Sequence, residues 1–187
     1  MNKLELSSPM LRAEFKLPDG YTPVRYHSAH MSLRCHYPDL APEAEDEVST
    51  DETVDLQISL QKGLGRIELL INGDGPVLEP AYARQMTCLE PIGRYLIYRE
   101  DRIQTGQRHT LMTYVFHADD GAVVGVEDAG ETMGQYQYYR RIGKFIQLQY
   151  TLSKDFGDDF IEIDARTSGF VKALLVKAWQ IDLSELE

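Results

Sequence analysis

Val54-Asp55-Leu56-Gln57-Ile58-Ser59-Leu60 alternates apolar and polar side chains at every step. Successive side chains of an extended chain point to opposite faces, so this run predicts a strand with one face buried and one face wet. The same period recurs on either side. Leu11-Arg12-Ala13-Glu14-Phe15-Lys16-Leu17 alternates and stops at Pro18-Asp19-Gly20, a turn signal. Arg94 to Arg99 reads as a further strand. Thr110 to His117 and Ala122 to Val126 flank Asp119-Asp120-Gly121, which predicts a hairpin. Tyr136 to Ile142 and Lys144 to Leu152 form a second pair turning near Gly143. Arg66 to Ile71 follows Gly63-Leu64-Gly65, and a hairpin with 54–60 is expected there. Strands joined by turns this short must be mostly antiparallel.

Two segments break the alternation. Residues 77–86 are expected to make one short middle helix, with Pro80 near its first turn, where proline is tolerated. Near the C-terminus, Phe170, Val171, Leu174, Leu175, Ala178 and Trp179 recur at one-, three- and four-residue steps. That spacing puts them on one side of a helix of about four turns, opened by Thr167-Ser168. Many antiparallel strands plus one amphipathic C-terminal helix predict a single α+β domain over residues 1–187.

The chain has 187 residues, of which 43% are hydrophobic and 26% charged. That composition is globular, and the length suffices for a core without disulfides or metal. Nineteen Lys and Arg against thirty Asp and Glu give a net charge of −11. Phosphate neutralisation needs a basic face, so nucleic acid is not an expected partner, and an anionic membrane would repel the chain. No apolar run long enough for a secretory leader follows Lys3, so a cytoplasmic location is expected. Cys35 and Cys88 then read as free thiols.

Residues 39–53 read as an acidic loop insertion. Glu43, Glu45, Asp46, Glu47, Asp51, Glu52 and Asp55 carry seven negative charges, and no Lys or Arg lies in 39–61. Such a segment steers a basic partner into encounter and raises its association rate. Tyr136, Tyr138, Tyr139 and Arg140, followed by Arg141, are residue types enriched at interface hot spots. The expected partner-binding residues are therefore Glu43, Glu45, Asp46, Glu47, Asp51 and Glu52 with Tyr136, Tyr138, Tyr139 and Arg140.

Catalytic patterns are weak. His27, His30, Cys35 and His36 are the right residue types for zinc, but their spacing is poor. A single strand through them would send His27 and His30 to opposite faces. Asp119-Asp120, Glu127-Asp128 and Asp158-Asp159 sit beside glycines or predicted turns and read as solvated turn residues. Cys88 has no adjacent base, and Ser168-Gly169 lacks the preceding glycine of a nucleophile elbow. No enzyme activity, cofactor or metal is expected from these residues. A metal-dependent enzyme built on the histidines is the remaining enzymatic alternative.

Two stretches carry a resemblance. Phe15-Lys16-Leu17-Pro18-Asp19-Gly20-Tyr21 resembles the opening of effector-associated chaperones of the type VI secretion system, a strand followed by Leu-Pro-x-Gly-aromatic. Arg141-Ile142-Gly143-Lys144-Phe145-Ile146-Gln147-Leu148-Gln149-Tyr150 is similar to the late strand of those chaperones and of PsbP-like domains. The late region also resembles immunity proteins that neutralise type VI and other polymorphic toxins. The resemblance implies a curved antiparallel sheet with helices packed on it and a protein partner. It assigns no individual site residue. The expected function is a non-enzymatic protein-binding domain, first an immunity protein that occludes a cognate toxin. The alternative is an adaptor or chaperone for a secreted effector.

Overall fold

The computed structural model describes residues 2–43, 50–65, 67–68, 86–104, 107–130 and 133–181. The chain opens with β1 (Asn2–Ser7) and β2 (Leu11–Leu17), then β3 (Arg25–His27), β4 (His30–His36) and the two-residue β5 (Ala41–Pro42). β6 (Thr53–Leu60) follows the acidic segment. β7 (Met86–Ile92), β8 (Tyr95–Gln104), β9 (Gln107–His117), β10 (Val123–Asp128), β11 (Gln135–Ile142) and β12 (Ile146–Ser153) come next. A 3-10 turn (Lys154–Phe156) leads into the helix α1 (Phe160–Leu174), which passes directly into β13 (Leu175–Gln180).

Among the described residues these strands form two sheets. The larger has ten strands in the order β3-β4-β6-β12-β11-β10-β9-β8-β7, with β5 on the last residues of β4. The smaller has three, in the order β1-β2-β13. Every described pairing is antiparallel. The alternating runs at 11–17, 54–60, 110–117 and 136–152 form the strands that their period predicts.

Two expectations need correction, and a third falls almost wholly outside the described residues. β6 is flanked by β4 and β12, so its two edges are taken, and the described residues of the run 66–71, Ile67 and Glu68, are helical rather than paired with it. The expected middle helix lies outside the described residues, except that Met86 opens β7. The helix starts seven residues before Thr167 and stops at Leu174. Its N-cap is Asp159, whose side chain accepts a hydrogen bond from the Glu162 N–H at 3.1 Å. Leu175 is extended (φ −74°, ψ 118°), and Ala178 and Trp179 pair with Ala13 and Arg12 of β2 instead of continuing the helix.

One face of the ten-stranded sheet is the inner one. It carries Val54, Leu56 and Ile58 of β6, Ile146, Leu148, Tyr150 and Leu152 of β12, and Val124 and Val126 of β10, all buried. α1 lays Phe160, Ile163, Val171 and Leu174 against this face, and β1 and β2 add Leu6, Ala13, Phe15 and Leu17. The result is one continuous core. Phe160 stands at its aromatic centre. Its ring lies 4.8 Å from Tyr136, 5.1 Å from Tyr114, 5.7 Å from Tyr95 and 6.1 Å from Tyr138.

The outer face is closed at one point by Ile67, itself buried. Gly125 of β10 lets it approach: a Cβ there would fall inside contact distance of Cγ1, Cγ2 and Cδ1 of Ile67. Gly125→Ala is expected to cost about 1–3 kcal/mol, measured by urea unfolding, because the added methyl must displace a seated side chain. An unchanged midpoint would show that Ile67 yields freely.

Candidate functional site

Seven exposed carboxylates lie on three chain segments that meet around Tyr37. Tyr37, just after β4, is the hub. Its ring packs edge-on against Phe156 at 4.8 Å, and its N–H donates to Glu52 O at 2.8 Å. The Arg166 guanidinium lies over its face at 5.9 Å and also donates to Pro38 O at 3.5 Å. Three chain segments therefore meet here: the loop after β4, the approach to β6, and the 3-10 turn with the start of α1. They bring together Asp39, Asp51, Glu52, Asp155, Asp158, Asp159 and Glu162, all exposed. Arg166 pairs with Glu162 at 3.1 Å, and Lys154 is bound to Asp128 at 2.6 Å. Burial, together with the charges of Glu162 and Asp159, holds the Tyr37 hydroxyl above its ordinary pKa, against the opposing Arg166. The field around the hub is thus negative.

The expected steering residues divide. Asp51 and Glu52 sit exposed on one of these segments. Glu43 does not: its side chain is 5% exposed, accepting from Thr53 Oγ1 at 3.0 Å and pairing with Arg34 at 3.5 Å. It tethers β5 to β4 and β6. Asp55 lies in β6, paired across strands with Arg34 and Thr151. Glu45, Asp46 and Glu47 lie outside the described residues. The sequence reading missed Asp39, Asp155, Asp158 and Glu162, which are scattered along the chain. Only the position of Tyr37 joins them.

The tyrosine patch is corrected more strongly. Tyr136, Tyr138 and Arg140 lie on the inner face of β11, opposite Asp128, Val126 and Val124 of β10. Tyr138 is fully buried, and its ring stacks on that of Tyr150 at 4.5 Å and 9°. Tyr136 is half-buried against Phe160. Tyr139 alone takes the outer face, opposite Gly125 and Gln149. Tyr138 and Arg140 are therefore core packing rather than a contact surface, because α1 lies across the inner face of this interior strand, whereas Tyr139 stays partly exposed on the outer face. The Tyr138 hydroxyl has no hydrogen-bond partner among the described residues. Tyr138→Phe is therefore expected to raise stability by about 1 kcal/mol, since it removes a desolvation cost that nothing repays. A loss in thermal or urea unfolding would reveal a partner for that hydroxyl.

Arg140 anchors a buried ionic network. It is 2% exposed on the inner face. Its guanidinium donates to Asp164 and to Ser168 Oγ (3.0 Å) of α1, and to Asp120 of the β9–β10 turn. Lys172 lies 2.5 Å from the same Asp120 oxygen, and Tyr150 donates to Asp164 at 3.3 Å. Burial pushes the Asp164 carboxyl above its ordinary pKa, although Arg140 and Tyr150 oppose that. Partial burial also pushes Asp120 up, but Lys172, the Ala122 N–H and Arg140 outweigh it and its pKa is lowered. Asp120 is thus a bound carboxylate, not a solvated turn residue. Of its fellow pairs, Glu127 and Asp128 end β10 and Asp159 caps α1, whereas Asp158 is an exposed bend residue. Beside the network opens a cleft of about 340 Å³ lined by Ala118, Asp119, Ile161 and Ala165 together with the charged groups.

The histidines are separated from the cysteine. β3 and β4 form a hairpin in which His27 pairs directly with His30, so the two share the outer face, contrary to the single-strand reading. Cys35 points inward, fully buried, with its thiol pushed up to about 12 by burial and by the charges of Glu43 and Asp55. A thiol so buried and raised stays protonated, the state of an inert structural cysteine. Burial and the neighbouring His27 lower the His30 pKa. Among the described residues no three His, Cys, Asp or Glu side chains group as a metal site. Cys88 is free and exposed.

No family model and no curated protein matches the chain. One solved structure that is similar to it is the STAR-related lipid transfer protein (fragment 25–204) from Xanthomonas axonopodis. It is 8% identical over 72% of this chain and 82% of that one, with a TM-score of 0.37. A superposition that loose does not establish a shared fold. Among the described residues no helix is long and apolar enough to cross a membrane.

Proposed function

We propose that this chain is a non-enzymatic, cytoplasmic binding domain for a basic protein, engaged through the acidic end around Tyr37. The specific role we propose is an immunity protein that occludes a cognate toxin. The observation that carries the reading is the convergence of seven exposed carboxylates from three segments around Tyr37. Such an end accelerates encounter with a positive surface and leaves release to the contacts made after docking. Toxins that act on nucleic acid present positive surfaces of that kind. The similarity of residues 141–150 to immunity proteins and secretion chaperones points to the same class of partner, but it names none.

The test uses Asp51→Asn, Glu52→Gln, Asp155→Asn and Asp158→Asn together. These positions neutralise the end while leaving the cap Asp159 and the pair Glu162–Arg166 intact. Association with the partner, followed by stopped flow, is expected to slow about tenfold or more at low ionic strength and to lose most of its salt dependence. An unchanged rate at low salt would sink the steering role. Recovery of a partner that remains an active cargo, rather than a silenced toxin, would favour the chaperone alternative.

A further inference from the structure

We propose that the cleft between α1 and the β9–β10 turn binds a small oxyanion, a carboxylate or a phosphate, in the place that the Asp120 carboxylate now fills. This inference is independent of the acidic end. Two cations from different elements, Arg140 of β11 and Lys172 of α1, converge on one oxygen of Asp120. Paired cationic donors aimed at a single oxygen are the arrangement by which proteins recognise carboxylates and phosphates. Arg140 is held for that task on its other sides. Nε donates to Arg141 O at 3.2 Å, and the second amino group is fixed by Asp164 and Ser168. One amino group remains directed at the cleft.

Asp120 itself belongs to the tip of a hairpin. The tip closes through its own bonds, Ala118 N to Ala122 O and Gly121 N to Ala118 O, each 2.9 Å. The aspartate side chain is 33% exposed whereas the Arg140 side chain is 1% exposed. Its departure would cost the turn only the bond from Ala122 N–H (3.1 Å) and would leave Arg140 and Lys172 against Asp164 alone, an uncompensated positive charge. An incoming anion restores neutrality. Space exists for one: the cleft's roughly 340 Å³ falls in the range of small-molecule sites, and its wall is built from Ala118 and Ala165, whose side chains stop at a methyl. The other carboxylate at the mouth, Asp119, faces solvent and pairs with Arg94 at 3.7 Å.

The test titrates sodium acetate and sodium phosphate into the wild type, Asp120→Asn and Lys172→Met. Sodium chloride at matched ionic strength is the control, and the amide shifts of residues 118–122 and 164–172 are followed by NMR. The wild type is expected to show saturable shifts confined to those two segments. Asp120→Asn is expected to bind about tenfold or more tightly, because the internal competitor is gone. Lys172→Met is expected to bind several-fold more weakly than the wild type. The stronger of acetate and phosphate names the ligand class. Shifts that chloride reproduces, or a wild type and Lys172→Met that titrate alike, would overturn the proposal. Binding to Asp120→Asn with none to the wild type would also overturn it and leave Asp120 as a permanent partner of Arg140. If Asp120→Asn fails to fold by circular dichroism, the wild type against Lys172→Met decides alone.

Discussion

Arg140→Met is expected to remove about 3–5 kcal/mol of folding stability, the usual cost of stranding one member of a buried ion pair. Asp164 is fully buried on the facing side of α1, and among the described residues its carboxylate is held by Arg140 and the Tyr150 hydroxyl. Without the guanidinium its carboxylate must stay charged in the core or take up a proton. The sign of the pH dependence follows. Loss of Arg140 raises the folded pKa of Asp164 further. A carboxyl so raised favours the fold below its unfolded pKa of about 3.9 and loses that contribution as pH rises through the folded value. In the wild type, Asp120 has a lowered pKa, so its contribution is present above about 3.9 and lost as pH falls through its folded value. Both effects narrow the gap between variant and wild type in acid. The deficit should therefore be largest near neutral pH. The double variant Arg140→Met/Asp164→Leu should recover much of it, since no charge is then stranded. Urea unfolding read by the fluorescence of the chain's single tryptophan measures all three proteins. Equal deficits for the single and double variants would show that Arg140 acts through packing alone.

Phe160→Ala is expected to cost a similar amount, about 3–5 kcal/mol. Phe160 is the first residue of α1 and touches aromatic rings from β8, β9 and β11. Those rings are fixed on a sheet and cannot collapse into the space, so the cavity term is added in full to the lost transfer energy. The start of the helix would then lose its seat while its capping bond at Asp159 remains. Hydrogen exchange should show faster opening at residues 160–164 than at 170–174. A loss below about 1 kcal/mol would mean that the neighbouring tyrosines close the gap.

The sheet was legible because its strands are half-buried in the simplest way. At 11–17 and 54–60 the pleat and the alternation coincide, so each apolar residue fell on the inner face. The helix was only half legible, for a physical reason. Its buried stripe runs Phe160, Ile163, Asp164, Thr167, Ser168, Val171 and Leu174. The middle of that stripe is polar because it meets Arg140, and a search for apolar residues at helical spacing passes over it. Leu175, Ala178 and Trp179 then continued the helical spacing by coincidence while belonging to a strand. The pair Asp159 and Glu162, a cap followed three residues later by glutamate, was the signal that could have placed the start. Tyr136, Tyr138 and Arg140 misled in the opposite direction. Aromatic and cationic residues at alternate positions suit an interface and a polar core equally, and only the partner across the core separates the two. The acidic end was legible as charge but not as place. Glu43 turned inward to Arg34 and Thr53, and the carboxylates that complete the end arrive from residues 155–162.

The most direct measurement is capture from the native host by the tagged wild type and by the fourfold neutralised variant, in parallel, at low and at 0.5 M salt (about a fourfold shorter screening length than at 0.03 M). One basic protein, recovered stoichiometrically by the wild type at low salt and strongly reduced with the variant and at high salt, is the expected result. Recovery of the same partner in equal amount by both proteins at both salt concentrations, or of a partner with no basic surface, would contradict binding through the acidic end.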